Sequence, residues 1–180
     1  NDRILTLTEK QGRVLLNKGG SDIAAAISSG KNIPAYYPYQ SIEFTDGAKG
    51  DEGGVSLLRN GSGKNLSTLI YKYTAHGLSH GHYDKLNYNF YDKGNEILSD
   101  YGAVRFIGVE QKYGGRYLPE TKGYAAQTIA HNTLVADESS HFEAKESTAE
   151  NFHADKLFSS ISNKAVQVVI AKADNAYKGI

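Results

Sequence analysis

The stretch SHGHYDKLNYNFYDKGNEILSDYG, residues 79–102, decides how the rest of the chain is read. Within it Leu86, Tyr88 and Phe90 alternate with Asn87, Asn89 and Tyr91. Side chains of an extended segment point to opposite faces in turn. The alternation therefore predicts a strand over 86–91, with an apolar face on a core and a polar, aromatic face near a binding surface. Lys93-Gly94 supplies turn chemistry, and 97–99 reads as a second short strand.

Outward from this segment, short apolar or β-branched runs predict further strands at 40–44, 55–59, 67–74, 133–136 and 165–171. Asp46-Gly47 and Asn60-Gly61 punctuate turns between them. Pro34 and Pro38 bracket an extended connector. Before it, 21–29 is the one helix-friendly segment, with Ser21 or Asp22 able to cap its start. Strands at this spacing without long intervening helices predict a mostly β chain, an antiparallel β-sandwich over 33–180. Residues 1–32 read as the tail of a preceding helical domain, and the sandwich itself as incomplete.

The chain has 180 residues, with 20 Lys plus Arg against 20 Asp plus Glu. A net charge of zero argues against a nucleic-acid binder and leaves any polyanion to be gripped by a local cleft. No apolar run is long enough to span a membrane. The absence of cysteine excludes disulfides and thiolate metal sites, and suits an oxidising periplasm. The chain lacks methionine and tryptophan and starts without an initiator, which reads as a processed or excised portion of a longer protein.

The chemistry concentrates in the histidines. His76, His80 and His82 fall within the string HGLSHGHYD, and His131 is followed by Asn132 and Thr133. Neutral imidazole ligates zinc and similar ions, and carboxylates complete such sites. Two residues apart on an extended segment, His80 and His82 share one face, and Gly81 permits a close backbone approach. Asp100, in LSDYG, is a carboxylate placed for a third contact. Lone histidines are usually core or surface residues, and His141 and His153 are read so. His-x-His is a stronger signal, yet composition and spacing support a metal site and go no further. Tyrosine is the second signal, with 13 in the chain. Tyr113 and Tyr117 flank Gly114, Gly115 and Arg116 in a long connection after a strand piece at 103–109, and long loops are often functional. Tyrosine stacks on sugars, donates hydrogen bonds and transfers protons.

Residues 79–102, followed by AHNTLVAD at 130–137, resemble the heparinase II/III-like polysaccharide lyases. There a His-Gly-His-x-Asp segment, a Gly-x-x-x-Leu-x-Asp-x-Gly segment and a His-Asn-Thr segment occur in this order. The GGRYLPET loop looks most similar to the alginate lyases of polysaccharide lyase family 17. The resemblance implies an N-terminal (α/α) toroid followed by an antiparallel β-sandwich, with the active site in the cleft between. It implies His82, Asp100 and His131 as ligands of a structural zinc ion, and His80 and Tyr117 as catalytic residues facing substrate. Arg116 and Tyr113 are then expected to bind substrate, while His76 finds no counterpart and is read as structural. The implied reaction is β-elimination at a uronate of alginate or oligoalginate, giving a 4,5-unsaturated product, in the periplasm or outside a bacterial cell. The implied partner is an acidic polysaccharide or oligosaccharide; the oligomeric state stays open, a dimer included. Three rivals remain at this point: a heparan sulfate-type glycosaminoglycan lyase, a non-catalytic carbohydrate-binding β-sandwich, and a cupin-like metal enzyme. Few basic residues (Arg105, Lys112, Arg116) stand in the loops, which favours an unsulfated uronate over the first of these.

Overall fold

The computed structural model describes residues 13–15, 41–77, 80–100 and 117–177. The helix expected over 21–29, the strand piece at 103–109, and Tyr113 and Arg116 lie outside them.

The described residues are mostly β. Six strands form one sheet in chain order: β1 (Arg13–Leu15), β2 (Ile42–Thr45), β3 (Gly54–Asn60), β4 (Ser67–Lys72), β5 (Asn87–Asp92) and β6 (Asn95–Leu98). β1 pairs parallel with β2, and every later neighbour is antiparallel. β1 falls within the stretch read as the tail of a helical domain, and its pairing joins it to the sheet. A second sheet pairs β7 (Asp155–Ser160) with β8 (Val168–Lys172).

Turn chemistry explains the hairpins. Lys93 and Gly94 sit at φ 51° and 81° between β5 and β6, the paired positive φ of a type I′ turn that matches strand twist. Gly47 and Gly61 also adopt positive φ, at 81° and 84°, where an L side chain is strained.

The sheet's inner layer is unusually polar. Tyr73 and Thr45 are fully buried, with Glu43 and Ser56 beside them. The Tyr73 hydroxyl donates to Glu43 at 2.6 Å and lies 2.9 Å from the Ser56 hydroxyl; burial pushes this phenol well above its ordinary range, so it stays a donor. Lys156 on β7 brings its ammonium within 3.6 Å of Glu43, and the Lys156 backbone N–H donates to the Asp51 carbonyl at 3.0 Å. A buried charge pair thus ties the two sheets, with the Lys156 ammonium at ion-pair distance and making no hydrogen bond. An apolar cluster of Tyr83, Phe142, Ala149 and Ala176 forms a second core, with Phe152 stacked 5.5 Å from Phe142.

Three expectations change. The strand over 86–91 begins one residue later, because Leu86 takes φ 60°. At its start the expected faces are also exchanged, with Asn87 2% exposed and Tyr88 40%, while Asn89, Phe90 and Tyr91 are all half-buried. Asn87 tolerates burial because both ends of its amide are hydrogen-bonded, as described below. Residues 133–136 form no strand beyond a bridge from Ala136 to Ser139. Their polar groups are spent elsewhere, with Thr133 donating to the Lys85 carbonyl and the Leu134 carbonyl accepting from Tyr177 at 2.9 Å. β7 was not anticipated, since DKLFSS carries no clear alternation.

His141 is a core residue, 2% exposed. Its Nδ1 accepts from the Lys85 N–H at 3.2 Å, and Nε2 faces the Leu134 carbonyl at 3.3 Å. It opens a run, Phe142 to Ala144, with φ 56°, 53° and 55°, a left-handed geometry that costs about 1–2 kcal/mol per residue. The Phe142 N–H to the Ala176 carbonyl (2.7 Å) and the Tyr83 hydroxyl to the Ala144 carbonyl (2.8 Å) hold the run in place.

Burial lowers the His141 pKa to about 4. Between that value and the ordinary 6.5 the unfolded chain binds the proton and the folded chain does not, so stability falls as pH drops through this window. The melting temperature is expected to fall between pH 6.5 and 4, and His141→Gln is expected to flatten that slope; an unchanged slope contradicts the assignment.

Candidate functional site

The site is built where the ends of β4 and β5 meet the segments at 80–84 and 131–133. Asn87, at the start of β5, is its hinge. The Asn87 side-chain amide donates to the Asp100 carboxylate, and its oxygen accepts from the Asn132 N–H at 3.1 Å. The Asn132 amide returns to the Ser99 carbonyl at 2.9 Å. These bonds bring the end of β6 beside His131, and His131 Nδ1 meets Asp100 Oδ1 at 2.8 Å.

Asp84 is held by Lys72 in an ion pair, and Asp84 is itself buried. One ligating atom each from Asp84, Asp100 and His131 lies within 4.8 Å of the others, so these three form a possible metal-binding group. His82 stands beside it, its ring 5.2 Å from that of His131. Burial, reinforced by the nearby His131, lowers the His82 pKa, which keeps a neutral lone pair available to a cation. The donor set fits an ion on a further observation: His131 Nε2 is buried and has no hydrogen-bond partner. A buried imidazole nitrogen without a partner is costly unless something supplies its bond.

His76 closes the same pocket, buried and stacked 5.2 Å from Tyr83, and burial lowers its pKa. Its carbonyl also explains the glycine of His-Gly-His. A Cβ on Gly81 would come within 2.0 Å of the His76 carbonyl oxygen and 2.8 Å of its ring.

Two adjoining cavities open on this group. The first, about 430 Å³, is walled by Lys72, His76, His80, His82, Asp100 and His131, among others. The second, about 320 Å³, shares His80 and His82 and adds Tyr117, Lys122, Gln127 and Glu146. His80 is exposed and reaches both, while Tyr117 is 65% exposed on the second. Thus His80, His82, Asp100, His131 and Tyr117 gather in one region. His153 stays apart, its Nδ1 3.2 Å from Asp155.

Sequence reasoning assigned no role to Asp84, Asn87 or Lys72. Asp84 was visible as the last residue of His-Gly-His-x-Asp. Asn87 carried a signal too, because asparagine is disfavoured in strands and its presence at a strand start calls for a specific bond.

Residues 44–179 match the family model "Heparinase II/III-like, C-terminal". The chain belongs to this family. Over all 180 residues it is 46% identical to an exo-oligoalginate lyase of Saccharophagus degradans. It is 42% identical to an alginate lyase of Stenotrophomonas maltophilia, again over its whole length. The chain spans 24% of the length of each of these relatives. Within the heparinase II/III-like framework the expected β-sandwich is the observed class, and no helix among the described residues is long and apolar enough to cross a membrane.

The Gly81 contact gives a direct test. Gly81→Ala is expected to cost about 1–3 kcal/mol through overpacking and to weaken binding of added divalent metal. Gly123→Ala, whose Cβ meets nothing within 4 Å, is the control and should be neutral. Equal melting temperatures and metal binding for the two variants would refute the close packing of this loop.

Proposed function

We propose that this chain supplies the metal-bearing β half of a lyase that cleaves alginate or oligoalginate by β-elimination, completed by a helical toroid. The observation that carries the reading is the joining of His80 and Tyr117 on one cavity wall, beside His82, Asp100 and His131. The names of the two relatives point the same way.

The reaction dictates what such a cleft must do. The C5 proton of a uronate is weakly acidic, because the neighbouring carboxylate opposes the negative charge that its removal creates. Neutralising that carboxylate by hydrogen bonds or a cation stabilises the enolate-like intermediate. A base then takes the C5 proton, the C4–O4 bond breaks, an acid protonates the departing O4, and a C4–C5 double bond remains. In this reading Tyr117 moves a proton at its phenol oxygen, and His80 hydrogen-bonds the sugar beside it. Tyr113 and Arg116 serve substrate binding, and the groups that neutralise the carboxylate come from the toroid.

His82, Asp100 and His131 are the proposed zinc ligands, with Asp84 as the neighbouring carboxylate that Lys72 steadies. Two imidazoles and a carboxylate are an ordinary zinc donor set. Bound zinc supplies a fixed charge tying three loop segments together, and its role is structural because β-elimination consumes no water. The proposed location is the bacterial periplasm or exterior.

The test is ultraviolet detection of unsaturated uronate, using the full-length protein on alginate, heparan sulfate and hyaluronan. Product on alginate is expected, with His80→Ala and Tyr117→Phe lowering kcat about 100-fold or more while retaining metal. Product on a glycosaminoglycan alone overturns the substrate, and silence on all three overturns the lyase reading in favour of a sugar-binding module.

A further inference from the structure

Lys122 lies on the cavity wall that carries Tyr117 and His80, and no part of the proposed reaction uses it. Its ammonium sits over the face of the Tyr117 ring, 5.7 Å from the centroid. Among the described residues no carboxylate stands within ion-pair distance of it, although Glu146 lines the same cavity. Lys122 is exposed, on a backbone held by its own hydrogen bonds. The Lys122 N–H donates to the Leu118 carbonyl at 3.0 Å, and the Lys122 carbonyl accepts from the Gln127 side chain at 2.6 Å. Thr121 and Ala125, at either end of this turn, are buried.

The turn itself is π-helical, Thr121–Ala125, closed by the Ala126 N–H to the Thr121 carbonyl at 2.8 Å. Such turns are rare and concentrate at functional sites. Here the turn brings a cation onto the ring of a residue five positions earlier. A cation over a ring face is attracted by the ring, yet keeps its N–H donors for another acceptor.

We propose that Lys122 is a specificity-determining residue that binds the carboxylate of the uronate next to the one that loses its proton. The proposal rests on the lyase reading above. Position separates the two roles. In the proposed reaction the toroid supplies the groups that neutralise the reacting unit's carboxylate, and the ammonium stands over the Tyr117 ring face and not at its phenol oxygen. It therefore meets a different sugar unit from the one the hydroxyl addresses. A cation on the cleft wall recognises the charge of a polyanion locally.

The experiment uses the full-length enzyme carrying Lys122→Gln or Lys122→Arg. Its substrates are a fully charged uronate trisaccharide and the same trisaccharide methyl-esterified at the unit adjacent to the scissile one. Lys122→Gln is expected to raise KM on the charged trisaccharide about tenfold, the scale of one charge-assisted bond, with kcat nearly unchanged. Lys122→Arg should restore most of the loss, and the esterified substrate should not distinguish wild type from Lys122→Gln. An unchanged KM on the charged substrate, a loss in kcat alone, or a loss that persists on the esterified substrate overturns the assignment while wild-type turnover preserves the lyase reading. A wild-type enzyme that forms no unsaturated product on any uronate removes both.

Discussion

The buried contact between Asp100 and His131, 2.8 Å apart, is the constraint on which the rest of the site depends. The His131 side chain is 1% exposed and the Asp100 side chain 14%, so water screens their bond only weakly. Burying these groups is costly unless every lone pair and proton is used. Asn87 uses one of them by donating to Asp100, and its own oxygen accepts from the Asn132 N–H. His131 Nε2 is left over, buried and without a hydrogen-bond partner. One asparagine at a strand start thus ties the first sheet to both loop segments, and the cavities form because those segments cannot move independently.

The same logic places polar groups where an ordinary sandwich has apolar ones. Glu43, Tyr73 and Ser56 form a satisfied chain within the sheet, and Lys156 reaches it from the second sheet. Apolar packing is displaced toward Tyr83, Phe142 and Phe152, beneath the site. The left-handed run at Phe142–Ala144 is strain held by burial and by bonds from Tyr83 and Ala176, which positions the floor of the second cavity, where Ala144 lines the wall. Fold and site therefore share residues, and a change in one is felt in the other.

Much of this was legible in the sequence, for reasons that differ by residue. β3 and β4 were readable because β-branched and leucine-rich runs flank Asn60-Gly61, and the β5–β6 hairpin because Lys93-Gly94 suits a tight turn. His80, His82, Asp100 and His131 were readable because three spaced motifs occur in order, and the structure gathers them. The faces of β5 were not, since alternation reports hydrophobicity and cannot anticipate an asparagine buried by its bonds. Residues 133–136 looked like a strand by composition, yet their polar groups are taken by Lys85, His141 and Tyr177. Lys122 carried no signal, because a lysine in a loop is ordinarily solvated and only the π-turn brings it over Tyr117.

The central claim is that two imidazoles and a carboxylate, locked by Asn87, form a metal centre. X-ray absorption at the zinc edge on the full-length protein, with metal content measured on the same sample, addresses it most directly. The account predicts one zinc per chain with two imidazole nitrogens at about 2.0–2.1 Å, lost in His82→Ala and Asp100→Ala together with a lower melting temperature. A metal-free protein whose melting temperature ignores both added zinc and chelator, or unchanged zinc in both variants, would contradict it.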